Sequence, residues 1–197
     1  MRVALGLKAR TGRAAFVAVG GDVRDPRFVL RGEMKLLPEG AFAPYHAAAE
    51  LKPAAARESV KQSIAVAHRL AASGIGDAVR RLAGEGHEVC GCGVLVGTGM
   101  PGWTTDEILA VHVRMHKAEG ELFRDVLAAG ARECKLAVTT LPEKSAFDGA
   151  VAILGIDRAR LEAHIVALGR AAGPPWARDQ KEAAAAALAA LRQADRR

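Results

Sequence analysis

Two histidines four residues apart, His112 and His116, followed three residues later by Glu119, make the most chemically loaded stretch of the sequence. At about 100° per residue, spacings of four and three place all three side chains within one narrow sector of a helix. Two imidazoles and a carboxylate converging in this way form a ligand set for Zn²⁺, Mn²⁺ or Fe²⁺, with water completing the site. They also form a His-Glu pair able to pass a proton. A third use is an internal network, in which Glu119 orients one histidine and the other bonds to backbone, to Tyr45 or to His46. Ile108, Leu109, Met115, Phe123, Val126 and Leu127 surround the sector, while Arg114, Lys117, Glu121 and Asp125 occupy the other side. That distribution predicts a cluster facing the core, where ionisable groups are costly unless paired, hydrogen-bonded or metal-bound. Val113 follows His112, so the His-Glu-x-x-His arrangement of zinc proteases is absent.

Other residues carry weaker chemistry. Asp179 and Glu182 are three apart in a helical stretch, a spacing that puts two carboxylates on one face as a second metal-ligating pair. The plainer use of Asp179 is an acid in a helix's first turn, with Glu182 solvated. Lys8, Arg10, Tyr45 and His46 are the expected contacts to nucleic acid or another ligand, the last two from an irregular connection where Tyr45 lines a pocket rim or anchors the loop. Gly97 to Gly102 offers backbone N-H groups between a strand and a helix but lacks a Walker ending, and it reads as a turn. Glu143-Lys144 reads as an exposed ion pair at the end of a strand, and Trp103 and Trp176 as packing anchors.

The elements that must position these groups follow from periodicity. Strands are predicted at Arg2 to Ala9, Ala14 to Val19 and Arg27 to Leu37, joined by turns at Thr11-Gly12 and Asp25-Pro26, which makes an antiparallel meander. After the connection Pro38 to Pro53, Val60, Ile64, Ala67, His68 and Ala71 recur at helical intervals, and a separate helix is predicted at Asp77 to Leu82 beyond Gly74 and Gly76. Val89 to Val96 is an apolar run suited to a buried strand. One helix is predicted from Thr104 or Thr105 to about Ala131, then a strand at Leu136 to Leu141. Helices at about Ser145 to Leu154, Arg158 to Ala171 and Ala177 to Ala194 complete the chain.

This order, βββαβαβα, resembles that of the ribonuclease H-like superfamily, which includes ribonuclease H, RuvC-type resolvases, retroviral-type integrases and actin-like ATPases. The resemblance spans nearly the whole chain and rests on element order and on the Gly6 to Gly12 region. It implies an α/β fold with a mixed five-stranded sheet and helices on both faces. It also implies a cofactor, because the nucleases of the superfamily hold two divalent metal ions on carboxylates. Their first acid stands in a hydrophobic-Gly-hydrophobic-Asp setting, whereas here Leu5-Gly6-Leu7 leads to Lys8, a cation that repels Mg²⁺. The run Val89 to Val96 supplies no acid; Asp179 and Glu182 match the family's terminal helix, and Glu50 or Glu58 is a further carboxylate near the first helix. The expectation is a non-nuclease or altered relative with a nucleic-acid-associated or interaction role. The alternative is a metal-dependent or acid/base enzyme, a hydrolase, using His112, His116 and Glu119 with a divalent metal ion.

Composition sets the remaining bounds. With 197 residues and 50% hydrophobic content, the chain is expected to form one domain over 1–197, with an additional helical segment at about 145–175. A formal charge of +6 favours an anionic partner wherever the charges cluster, so nucleic acid is one expected partner; another protein, including a second copy of this chain, is the other. Cys90, Cys92 and Cys134 lack paired spacing, which argues against a disulfide framework and for reduced residues in the sheet. No run approaches the roughly 18–20 apolar residues of a membrane span, and the opening lacks a signal-type apolar region, so the expected location is the cytoplasm.

Overall fold

Alternation on the first strand sets the architecture. Val3, Leu5 and Leu7 point to one side of β1 (Arg2–Arg10), while Ala4, Gly6 and Lys8 point to the other, and both sides are buried. A strand with large residues on one face and small ones on the other needs two different covers. The computed structural model describes residues 1–41 and 43–196. It shows β1 antiparallel to β2 (Arg13–Asp22), β2 antiparallel to β3 (Asp25–Lys35), and β1 parallel to β4 (Glu88–Val96), which is parallel in turn to β5 (Val138–Pro142). The sheet order is β3-β2-β1-β4-β5, the mixed five-stranded arrangement predicted from sequence.

The large face packs against α2 (Pro53–Gly84) and α4 (His112–Glu133), through Ala67, Ala71, Ile75 and Leu82 of the first and Phe123, Val126, Leu127 and Ala131 of the second. Between them in sequence lies the one-turn α3 (Thr105–Leu109), opened by a capping box in which Thr104 Oγ1 accepts from the Glu107 N-H while the Glu107 carboxylate accepts from the Thr104 N-H. A short α1 (Pro44–Ala48) joins α2, α3 and α4 in a satellite core of Tyr45, Ala48, Ala56, Val60, Ile108, Met115 and Ala118.

The small face receives α7 (Arg178–Asp195), whose residues Ala183 to Leu191 are all buried. Gly6 and Gly93 are direct partners in the β1-β4 register and form the floor beneath it. A Cβ on Gly6 would overlap the Ala183 carbonyl oxygen and stand 2.6 Å from the Ala187 nitrogen, and one on Gly93 would overlap the Ala186 carbonyl. Helix backbone therefore lies directly on strand backbone, which only glycine permits. A 3₁₀ turn (Glu143–Ser145), α5 (Ala146–Leu154) and α6 (Arg158–Ala172) pack beside α7, with Ala150, Leu154, Leu161, Ile165 and Leu168 buried. No helix among the described residues is long and apolar enough to cross a membrane.

Two helix predictions need correction. Gly74 and Gly76 do not end a helix: α2 runs through both, because Gly74 admits the side chain of Met34 and the flanking turns are held by packing on the sheet. Conversely, the stretch from Thr105 to Ala131 is two helices, broken where Val111 adopts an extended conformation (φ −139, ψ 112). His112 thus begins a helix.

The three cysteines are free. Complete burial in β4 pushes the Cys92 thiol up to about 12, and burial also raises Cys90 and Cys134. Cys92 is expected to resist iodoacetamide in the native protein at mildly alkaline pH and to react once denaturant opens the sheet. Mass-spectrometric mapping of the label checks this; prompt native labelling of Cys92 would contradict its burial.

Candidate functional site

β4 and β5 end at Val96 and Pro142, and β1, parallel to β4, carries Lys8 to the same place, the carboxyl edge of the parallel part of the sheet. In α/β sheets this edge is where ligands bind. Lys8 points to the small face, yet its side chain is only 3% exposed. Its ammonium bonds to Glu143 Oε1 and lies 3.1 Å from Glu182 Oε2, forming an ion pair off the hydrogen-bonding line. The other Glu182 oxygen accepts from Arg178 Nε at 2.6 Å, and the other Glu143 oxygen accepts from Arg124. Arg124 also lies 3.8 Å from Glu121. The result is a string of alternating charges, Arg178, Glu182, Lys8, Glu143, Arg124 and Glu121, carried by α7, β1, α4 and the turn after β5. Beside it Arg10 grips both Asp179 oxygens, at 2.6 and 2.8 Å.

This centre revises several sequence readings. Lys8 is an internal cation rather than a surface contact, Glu182 is buried rather than solvated, and Glu143 pairs inward with Lys8 rather than with Lys144. Glu121 is also buried, with its carboxylate packed against Gly97 where a side chain at that position would stand. Glu50 and Glu58 stay exposed, with Glu58 bonded to Gln62 on its own helix. Burial by itself would raise the Glu143 carboxyl, but the ammonium of Lys8 and the guanidinium of Arg124 outweigh it and hold the group below the usual carboxylate range. The residues do not fit a two-metal centre. Glu121, Glu143, Asp179 and Glu182 each face a cation of the chain, and the Lys8 ammonium already sits between two of them.

Around this string the edge is open and of mixed charge. A groove of about 410 Å³ is lined by Lys144, Arg158, Arg178 and Lys181 together with Glu143, Asp148, Glu182 and the ring of Phe147, with Arg158 and Arg178 ion-paired to acids. Lys144 and Lys181 are exposed and make no ion pair among the described residues. A smaller recess beside it is lined by Arg10, Gly120 and Arg124.

The histidine cluster is a separate constellation. His112 and His116 do lie on one side of α4, but they are exposed rather than packed on the sheet, and only Glu119 is buried. The reason is overhang: Glu121 is level with Gly97 at the end of β4, so at about 1.5 Å per residue the first turns of α4 stand beyond the strands. Glu119 faces α1 instead. Its Oε1 accepts the backbone N-H groups of Tyr45 and His46, both at 3.1 Å, and each of its oxygens lies 2.8 Å from His46 Nδ1. His46 Nε2 then meets His112 Nε2 at 3.3 Å, and His116 stacks beside both with ring centroids 4.6 and 4.5 Å away. One ring nitrogen from each of His46, His112 and His116 lies within 4.8 Å of the others.

Thus His46, assigned from sequence to a ligand contact, is the third member of the imidazole group, and Glu119 stands behind it rather than beside His112. Tyr45, read from sequence as a pocket rim or a loop anchor, is buried in the satellite core, where an anchor belongs. Trp103 does anchor the helix start, lying under Arg114 at 4.8 Å and Lys117 at 5.9 Å.

No protein-family model matches the chain, and no curated protein resembles it in sequence. Solved structures do resemble it. Thermus thermophilus RuvC superposes with a TM-score of 0.51 at 12% identity, covering 98% of this chain and 96% of that one. Thermus thermophilus RuvC in complex with a Holliday junction substrate gives a TM-score of 0.50 at 13% identity, over 100% of this chain and 96% of that one. The fold is ribonuclease H-like.

Proposed function

We propose that this ribonuclease H-like chain is a nucleic-acid-binding module that does not cleave by the two-metal route. The observation that carries the proposal is Lys8, a buried ammonium ion-paired with Glu143 and Glu182 in β1, the strand in which the superfamily's nucleases place their first acid. An internal cation there performs the neutralising role of a metal without being able to activate water. The groove bordered by its partners Glu143 and Glu182 carries Lys144 and Lys181 exposed and without an ion pair among the described residues, and the overall charge of +6 has the sign that phosphate requires. The resemblance to RuvC bound to a Holliday junction makes branched DNA the first substrate to try.

Binding to a four-way DNA junction, a linear duplex and an RNA of matched length, followed by fluorescence anisotropy, tests this. If about four phosphates are neutralised, affinity should fall roughly 100-fold between about 50 and 200 mM salt. Replacing both Lys144 and Lys181 with alanine should flatten the salt slope by about two and leave sequence preference unchanged. Absence of binding to any of the three at low ionic strength would end the nucleic-acid reading, and cleavage dependent on Mg²⁺ or Mn²⁺ would end the non-nuclease one.

A further inference from the structure

A second site, built independently of the first, lies on the overhanging end of α4. We propose that His46, His112 and His116 form a zinc(II) site, with Glu119 as the residue that positions His46.

Glu119 is buried and already receives two backbone N-H groups, and a carboxylate only accepts. His46 Nδ1, 2.8 Å from both of its oxygens, is engaged by the carboxylate, which leaves Nε2 as the ring nitrogen open to an ion. That nitrogen lies 3.3 Å from His112 Nε2. Two nitrogens each about 2.0–2.1 Å from a tetrahedral zinc are separated by about 3.3 Å, so the spacing matches one edge of such a site. His116, one turn further along α4, brings a third nitrogen within 4.8 Å of the others, a distance that a rotation of an exposed side chain can close.

The backbone supports the same reading. Tyr45 and Ala48 fix α1 in the satellite core against Ile108, Met115 and Ala118, so His46 and the first turns of α4 are held together before any ion arrives. The carboxylate-histidine arrangement fixes the tautomer and makes the imidazole a better donor. Three neutral nitrogen donors suit a borderline cation such as zinc rather than magnesium or calcium, which take oxygen. His112 and His116 are exposed, so the ion has a path in from solvent and a coordination position remains for water or an anionic oxygen ligand.

The test uses the full chain, stripped with a chelator and titrated with Zn²⁺ against a chromophoric competitor, with Co²⁺ as a spectroscopic stand-in. One equivalent of zinc should bind at micromolar concentration or below, and Co²⁺ should give an intense visible band of tetrahedral character. Because His112 is exposed, His112→Ala should keep the metal-free melting temperature and circular dichroism of the wild type while losing about 100-fold or more in affinity, and His46→Ala should lose as much. Glu119→Ala should weaken binding by about 10–100-fold, and Glu119→Gln, whose amide oxygen can still accept from His46 Nδ1, should recover part of the loss and shift the Co²⁺ band. No saturable zinc uptake, or uptake unchanged in His46→Ala and His112→Ala, would overturn the site. Equal losses in Glu119→Ala and Glu119→Gln would overturn the positioning role.

Discussion

Replacing Lys8 with alanine is expected to destabilise the protein by about 3–5 kcal/mol near neutral pH, the usual cost of stripping buried carboxylates of their cation. The side chain is 3% exposed and serves two acids, Glu143 and Glu182, of which Glu182 is itself 7% exposed. For a chain of this size that loss corresponds to a melting temperature lower by roughly 10–15 °C. The effect should depend on pH with a definite sign. The carboxyl of Glu143 is held below the usual range in the folded protein, so the stability it contributes is present above the unfolded carboxylate pKa and lost as pH falls through the folded value. In Lys8→Ala the Glu143 carboxyl loses one of the two cations that hold it low, so it has less of this stability to lose and the two proteins should converge in stability on acidification. Thermal unfolding from neutral pH down to the acid limit checks both size and slope. Equal stability at neutral pH would remove Lys8 from its structural role.

Lys8→Asp makes the stronger test of what the lysine replaces. It puts a further carboxylate beside Glu143 and Glu182, and like charges so close cannot all ionise unaided. The variant should be less stable than Lys8→Ala and should regain stability with Mg²⁺ or Mn²⁺, because an ion that binds only the folded state stabilises it. The wild type should be indifferent to the same ions at this centre. A wild-type midpoint that rises with Mn²⁺ as much as the variant's would show that the lysine does not stand in for a metal.

The second large effect is expected at the floor of α7. Gly93→Ala and Gly6→Ala should each cost at least the upper part of the ~1–3 kcal/mol typical of overpacking, and the double variant should fail to fold. The added methyl group meets main-chain atoms of Ala183, Ala186 and Ala187 rather than the tip of a flexible side chain, so nothing can swing aside. Relief requires lifting the helix, and that opens a void along the buried run Ala183 to Leu191. Gly86→Ala, at a loop position with open space around it, is the control, although its φ of +79 brings a smaller backbone cost. Denaturant midpoints rank the variants, and a Gly93→Ala protein as stable as wild type would refute the direct backbone contact.

Much of the fold was legible because it is written in local patterns. The alternation Val3-Ala4-Leu5-Gly6-Leu7 and the turns at Gly12 and Asp25 define the meander, and the apolar run to Val96 defines the central strand. The helix errors share one cause: glycine is a punctuation mark in sequence, but Gly74 is a contact surface in space, while the break at Val111 carries no glycine or proline to announce it. At the sites, periodicity gave the correct phase for His112, His116 and Glu119 without showing that their helix outruns the sheet. It therefore expected a buried cluster where two of the three are exposed. The lysine at position 8 was visible against the acid that the resemblance implied there. Its partners were less so, since Glu143 and Glu182 come from distant segments and only the crossover topology brings them to the same edge.

The position of α7 bears on how the chain is made. This helix lies over β1, β2 and β4 and packs against β5, α5 and α6, yet it follows every other described element in the sequence. A ribosome that has emitted the whole sheet has still not emitted its cover for one face. Until residues 178–195 emerge, Ala4, Val17, Val19 and Leu95 present an apolar surface to whatever is nearby. At ordinary elongation rates of about 5–20 residues per second, that surface stands open for seconds while the preceding helices are completed. Nascent chains of this protein should therefore depend on chaperone occupancy until α7 is released.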